Sequence, residues 1–163
     1  MKTKTAKTTK PAAIPPTPLS IKSILVPLDF SASSKKALDY AVAVAKQFRA
    51  KLTLLHVVEP VGTADFAATF PLVMENDKLM AAAKSELETV VKSARIPRSM
   101  LEMVLVRSGR SFHEIAEAAR TRKVDLVIIS THGYTGLKHA VLGSTAERVV
   151  RHAHCPVLVV RRR

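Results

Sequence analysis

The stretch from Val124 to Val160 constrains the fold more than any other. Val124-Asp125-Leu126-Val127-Ile128-Ile129 is a short, almost continuous apolar run, the pattern of a parallel strand covered on both faces. Ser130-Thr131-His132-Gly133-Tyr134-Thr135-Gly136 breaks it with small and polar residues. After a brief apolar patch, Gly143-Ser144 opens a helical pattern running from Thr145 to about His152, and Pro156-Val157-Leu158-Val159-Val160 reads as a second buried strand. A buried strand, a glycine-bearing turn and a fresh helix start are the parts from which α/β proteins build a phosphate cradle.

The same alternation precedes it. Ile24 to Leu28 reads as a strand with Asp29 at its carboxyl end, and Ser31 and Ser33 are candidate caps for the next helix. Ala37, Leu38, Ala41, Ala45 and Phe48 recur at helical spacing to about Ala50, and Leu52 to Val58 is a second strand. Glu59 to about Val73 has two prolines, a glycine and little periodicity, and reads as a long loop. Met80, Ala83, Leu87, Val90 and Ala94 mark a helix stopped by Pro97, and Leu101 to Val106 is a third strand. Ser111-Phe112-His113-Glu114 has the form of a capping box opening the next helix. Strand and helix alternating four times specify an α/β sandwich around a parallel sheet.

Composition separates the ends from the domain. The net charge is +13, but Lys2, Lys4, Lys7, Lys10 and Lys22 precede any acid and Arg161, Arg162 and Arg163 close the chain; removing those eight leaves +5 for residues 23–160. Residues 1–20, rich in Lys, Thr, Pro and Ala, are expected to form a disordered or polyproline-like arm, with one domain over 21–163. Basic tails attract polyanions in a salt-dependent way, or serve only solubility. Aromatics are 4% of the chain and tryptophan is absent, which argues against stacking-based recognition of single strands. No apolar run approaches the roughly 18 residues a membrane span needs. Cys155 is the only cysteine, which excludes an internal disulfide and fits a reducing compartment.

In an open parallel sheet, ligands bind beyond the carboxyl ends of the strands where the strand order reverses. A doubly wound order makes the first strand central and puts the fourth beside it, so Asp29 and Ser130 to Gly133 become two lips of one crevice. The helix opening at Ser144 aims its amides at the same place. An adenine nucleotide suits these parts: Asp29 for ribose or base edges, glycine amides for phosphates, Ser144 for a phosphate oxygen. Two plainer readings stand beside this one. Asp29 could cap the following turn, and Ser144 with Glu147 has the form of a second capping box.

The chain resembles the universal stress protein family from about Ile21 to Val160. The resemblance is carried by Ile24-Leu25-Val26-Pro27-Leu28-Asp29, Leu54-Leu55-His56-Val57, Asp125 to Gly133, Leu142-Gly143-Ser144 and Cys155 to Val160. It implies a Rossmann-like, doubly wound, five-stranded parallel sheet with helices on both faces, a cytoplasmic homodimer paired through the last strand and, in one branch, ATP binding. That branch is marked by Gly-x-x-Gly, nine residues, then Gly-Ser or Gly-Thr. Gly133, nine residues, Gly143 and Ser144 match it, whereas Ser130 replaces the first glycine. Carried over by position, the nucleotide contacts are Pro27, Asp29, Val57 for adenine, Ser130, Gly133, Gly143, Ser144 and Thr145, with Mg2+ bridging phosphates. If residue 130 needed positive φ, a side chain there would cost about 1–2 kcal/mol.

The sequence has no Walker A motif and no nucleophile elbow, so at most slow ATP hydrolysis is expected. His152, His154 and Cys155 lie within four residues but lack a second ligand pair at zinc spacing, and no metal site is expected there. His56 is expected to be a hydrogen-bonded core histidine. The expected function is a nucleotide-responsive stress regulator with unidentified protein partners; the alternatives are an interaction module of the same fold without nucleotide, and weak nucleic-acid or anion binding through the tails.

Overall fold

The computed structural model describes residues 19–60, 69–131 and 142–161, with 69–76 described by backbone alone. The basic arm up to residue 18, most of the expected long loop, and Gly133 lie outside the described residues. The elements run β1 (Ser23–Pro27), α1 (Ala32–Phe48), β2 (Lys51–Val58), α2 (Thr69–Ser93), β3 (Leu101–Ser108), α3 (Ser111–Thr121), β4 (Leu126–Ser130), α4 (Ser144–His152) and β5 (Val157–Val160).

The five strands form one sheet in the order β3-β2-β1-β4-β5, every pairing parallel. This is the doubly wound order with β1 at the centre. Alternate residues of β1 serve opposite faces, as the period of two requires. Ile24 and Val26 pack with Ala37, Leu38, Ala41 and Ala45 of α1 and Leu87 and Val90 of α2. Leu25 joins Ile115, Ala118 and Ala119 of α3 and Ala146 and Val149 of α4. The first two helices therefore cover one face and the last two the other. The small residues at 37, 41 and 45 are wholly buried, letting α1 lie close on the sheet.

Local chemistry sets the element ends. Ser31 caps α1, its Oγ accepting the Ser34 amide at 3.1 Å, as expected. Arg49 then turns left-handed at φ 55°, and the Ala50 amide closes on the Ala45 carbonyl at 2.9 Å. α2 starts at Thr69, earlier than the loop expected to run to about Val73. Pro71 falls in its first turn, where a missing N–H breaks no intrahelical bond.

Both expected capping boxes are absent. α3 begins at Ser111 with Arg110 as its cap residue, and α4 begins at Ser144 with Gly143 in that role; neither cap supplies a side-chain bond. Glu114 instead meets Arg107 at 3.4 Å, and Glu147 meets Arg151 at 2.7 Å. Gly109, at φ 148°, lies against Glu114, whose Oε1 would sit 2.9 Å from an added Cβ, so that turn requires glycine.

Asp125 ties the two central strands together at their starts. Its Oδ2 accepts the amides of Lys22 at 2.8 Å and Ser23 at 2.9 Å, while its own amide donates to the Ser23 carbonyl at 2.9 Å. Asp125→Ala strands two amides at the edge of the core and is expected to cost about 2 kcal/mol. The check is the urea midpoint, which should fall with the slope unchanged; an unaltered midpoint would refute the role.

Candidate functional site

β1 and β4 send their chains to opposite faces of the sheet, and a cleft of about 310 Å3 opens beyond their carboxyl ends. Seven of the eight residues singled out in the sequence line it: Pro27, Asp29, Val57, Ser130, Gly143, Ser144 and Thr145. The eighth, Gly133, is outside the described residues.

On the β1 side, the chain turns sharply. Asp29 Oδ1 accepts both the Ser31 amide at 3.1 Å and the Ser31 hydroxyl at 2.6 Å, so the turn-capping reading of Asp29 holds. Both bonds fall on one oxygen, and Oδ2 is the one left for a ligand. Phe30 between them sits at φ 65°, a conformation costing a bulky residue about 1–2 kcal/mol. Its ring stacks on His56 with centroids 4.4 Å apart and planes 25° from parallel, an interaction of similar size. His56 Nδ1 lies 2.7 Å from the Leu28 carbonyl. A carbonyl can only accept, so Nδ1 carries the hydrogen. His56 is thus half-buried and bonded, and it also borders the cleft.

On the β4 side, Ser130 is the last residue of its strand, paired with Val160, 8% exposed and outside the left-handed region. Serine here carries no backbone penalty. The next amide, Thr131 N–H, donates to the Val160 carbonyl at 3.0 Å, and Gly143 N–H donates to the Thr131 carbonyl at 2.7 Å. The Gly143 amide is therefore already engaged, and of the glycine amides expected to serve phosphates the other, Gly133, lies outside the described residues. The first bond of α4 runs from Glu147 N–H to the Gly143 carbonyl at 2.9 Å. The amides of Ser144, Thr145 and Ala146 have no acceptor within the helix, and their dipole end favours an anion. Gly143 has φ −67° and ψ 149°, which any residue can adopt, so the backbone does not call for glycine there.

Among the lining residues that sequence reasoning did not single out, one carries a charge. Glu59 follows β2, and its Oε1 accepts the Ser111 amide at 2.8 Å. The Ser111 hydroxyl and amide hold its carboxyl below the usual carboxylate range, with Arg110 adding to the effect and partial burial opposing it. The rule that picked out Asp29, an acid at the carboxyl end of a parallel strand, would also have found Glu59.

At the far end of α4, His152 Nδ1 meets the Arg148 carbonyl at 2.8 Å. Burial, and then Asp125, push the Cys155 thiol up, which disfavours the reactive thiolate. Among the described residues no group of three acids, histidines or cysteines gathers as a metal site, and no helix is long and apolar enough to cross a membrane.

A doubly wound five-stranded sheet with an open cleft at its switch point defines a Rossmann-like α/β protein. The model of the Universal stress protein family matches residues 20–161. Universal stress protein MJ0531 of Methanocaldococcus jannaschii is 36% identical over 146 residues, covering 86% of this chain and 82% of that protein. Among solved structures, universal stress protein UspA from Lactobacillus plantarum superposes with a TM-score of 0.78 at 28% identity, covering 88% of this chain and 100% of that one. A universal stress protein in complex with cAMP shares the fold at a TM-score of 0.60 and 23% identity, covering 88% of this chain and 98% of that one. The chain belongs to the universal stress protein family.

A carboxyl whose folded pKa is lowered stabilises the fold above its ordinary range and loses that contribution as pH falls through the folded value. Glu59 follows this sign. Glu59→Gln is therefore expected to lower the urea midpoint at pH 7, with the gap from the parent closing toward about pH 3. A gap that persists unchanged into acid would show that the Glu59 charge plays no part.

Proposed function

We propose that the cleft binds an adenine nucleotide, ATP with Mg2+ bridging its phosphates, and that the chain acts as a cytoplasmic, homodimeric, nucleotide-responsive regulator of the stress response. The observation that carries the reading is the pairing of Asp29 with the unsatisfied start of α4 across one cleft. Val57 and Pro27 offer apolar contact for the base, Asp29 Oδ2 an acceptor for ribose hydroxyls, and Ser144 and Thr145 amides and hydroxyls for phosphate. The uncapped state of α4 supports the same assignment, since the Ser144 hydroxyl is not consumed by a capping bond. Gly143 supports it too: glycine where φ is ordinary suits close approach of a ligand. A relative of this fold holds cAMP, an adenine nucleotide of smaller charge. Binding rather than turnover fits a chain with no Walker A motif and no nucleophile elbow.

The dimer is supported by the sheet itself. β5 is an edge strand with Leu158 40% exposed, and an apolar edge of this kind is stabilised by pairing with another copy.

Titration calorimetry with ATP and Mg2+ is expected to give saturable binding. Gly143→Ala should keep the fold, at a capping cost of about 1 kcal/mol, and lose ATP affinity by about tenfold or more. No heat and no thermal shift with well-folded parent protein would sink the nucleotide reading; binding that appears only after Ser130→Gly would favour the interaction module without nucleotide.

For the dimer, Leu158→Asp is expected to convert the parent's sedimenting species from dimer to monomer at micromolar protein. A monomeric parent would remove that part of the proposal.

A further inference from the structure

A second cavity, of about 300 Å3, adjoins the nucleotide cleft and shares Glu59, Ser144 and Thr145 with it; Arg110, Phe112 and Arg148 complete its lining. Its two arginines come from different elements. Arg110 is the cap residue of α3, and Arg148 lies one turn into α4. Neither guanidinium makes an ion pair among the described residues, although four other pairs are formed there. Arg148 is nonetheless held in place, its guanidinium carbon 5.1 Å from the centroid of the Phe112 ring. Phe112 is braced in turn by His152 at 5.7 Å. A guanidinium lying over an aromatic face keeps its edge N–H groups for an anion, and that fork fits phosphate oxygens in pairs. Both arginines are exposed at the surface, so their stems are not fixed by burial; the ring contact supplies the order that an exposed arginine ordinarily lacks.

We propose that Arg110 and Arg148 form a subsite for the terminal phosphate of a nucleoside triphosphate, so that the chain selects ATP over AMP. The inference rests on the nucleotide reading of the neighbouring cleft and deepens it. A monophosphate reaching the start of α4 is met by the amides of Ser144 and Thr145. A phosphate chain that continues past those residues enters the second cavity, because the same two residues line both spaces. The local charge favours this path: two guanidinium groups and the positive end of α4 face one carboxylate, Glu59, whose Oε1 is already engaged by Ser111. On the opposite side of the cleft, Asp29 adds negative charge and suits the uncharged sugar. The ligand is thereby oriented with its base toward β1 and β2 and its phosphates toward α3 and α4.

The test is calorimetric titration of the full chain with ATP, ADP and AMP, each with Mg2+, for the parent, Arg110→Gln, Arg148→Gln and the double variant. The parent is expected to bind ATP about a hundredfold more tightly than AMP. Each single change should lower the ATP-to-AMP affinity ratio by about tenfold, the scale of one lost charge-assisted bond, and the double change should bring it toward one. A double variant that keeps the parent's ratio, or a parent with no preference for ATP, overturns the subsite while leaving nucleotide binding in place. A parent that binds none of the three overturns both readings at once.

Discussion

β1 is a central strand in the strict sense: hydrogen-bonded on both edges and covered on both faces. Its neighbours β2 and β4 come from opposite halves of the chain, and everything at the site follows from that. Right-handed crossovers send β1 to β2 and β2 to β3 on one side of the sheet, where α1 and α2 pack on Ile24 and Val26. The chain must then return across the sheet to add β4 to the free edge of β1, and α3 and α4 cover Leu25 on the other face. At the carboxyl end of β1 the backbone therefore departs one way and at β4 the other. No helix can fill the gap between two diverging connections. The cleft is a consequence of topology before any side chain is chosen.

The side chains then divide that cleft by charge. Asp29 and Glu59 stand at the ends of β1 and β2, and each spends one carboxylate oxygen on a neighbouring serine amide. Such bonds hold the acids in place as fixed acceptors and stiffen the loops that carry them. The positive side is built from backbone as much as from arginine: three α4 amides without intrahelical acceptors, brought into position by the Gly143 bond to Thr131 and the Thr131 bond to Val160. β5 thus takes part in aligning the α4 start, although none of its residues lines the cleft. Edge strand, turn and helix start form one hydrogen-bonded chain.

The apolar runs made the strands and their order legible, because a residue such as Leu25 or Ile128 in the middle of a β-branched segment has few alternatives to a covered sheet. The lining residues were legible for a related reason: position at a strand end, spacing between glycines and family resemblance all point to the same few places. What local pattern could not supply was competition from distant groups. Ser111 reads as a helix cap beside Glu114, yet the Ser111 amide goes to Glu59, 52 residues away, and Glu114 turns to Arg107. Ser144 and Glu147 fail in the same way, because Gly143 is held as the cap residue by Thr131. Asp125 looks like a polar interruption of a strand until Lys22 and Ser23, about a hundred residues earlier, arrive at its carboxylate. Arg110 and Arg148 carry no signal at all in one dimension; only the packing of α3 against α4 gives them a common cavity.

Ser130 illustrates how a conformation can change the weight of a substitution. Read as a missing glycine, it raises the prospect of a strained or blocked cradle. In the folded chain it is the last extended residue of β4, paired with Val160 and outside the left-handed region, so the reason for wanting glycine cannot be torsional. What remains is volume, one Cβ and one hydroxyl on a residue 8% exposed at the cleft. Serine adds little bulk and brings a group that can both donate and accept. Gly143 likewise has an ordinary backbone, and the α4 amides lie immediately ahead of it. Under the nucleotide reading proposed above, the glycine the chain retains at 143, beside the α4 amides, matters more than the one it lacks at 130.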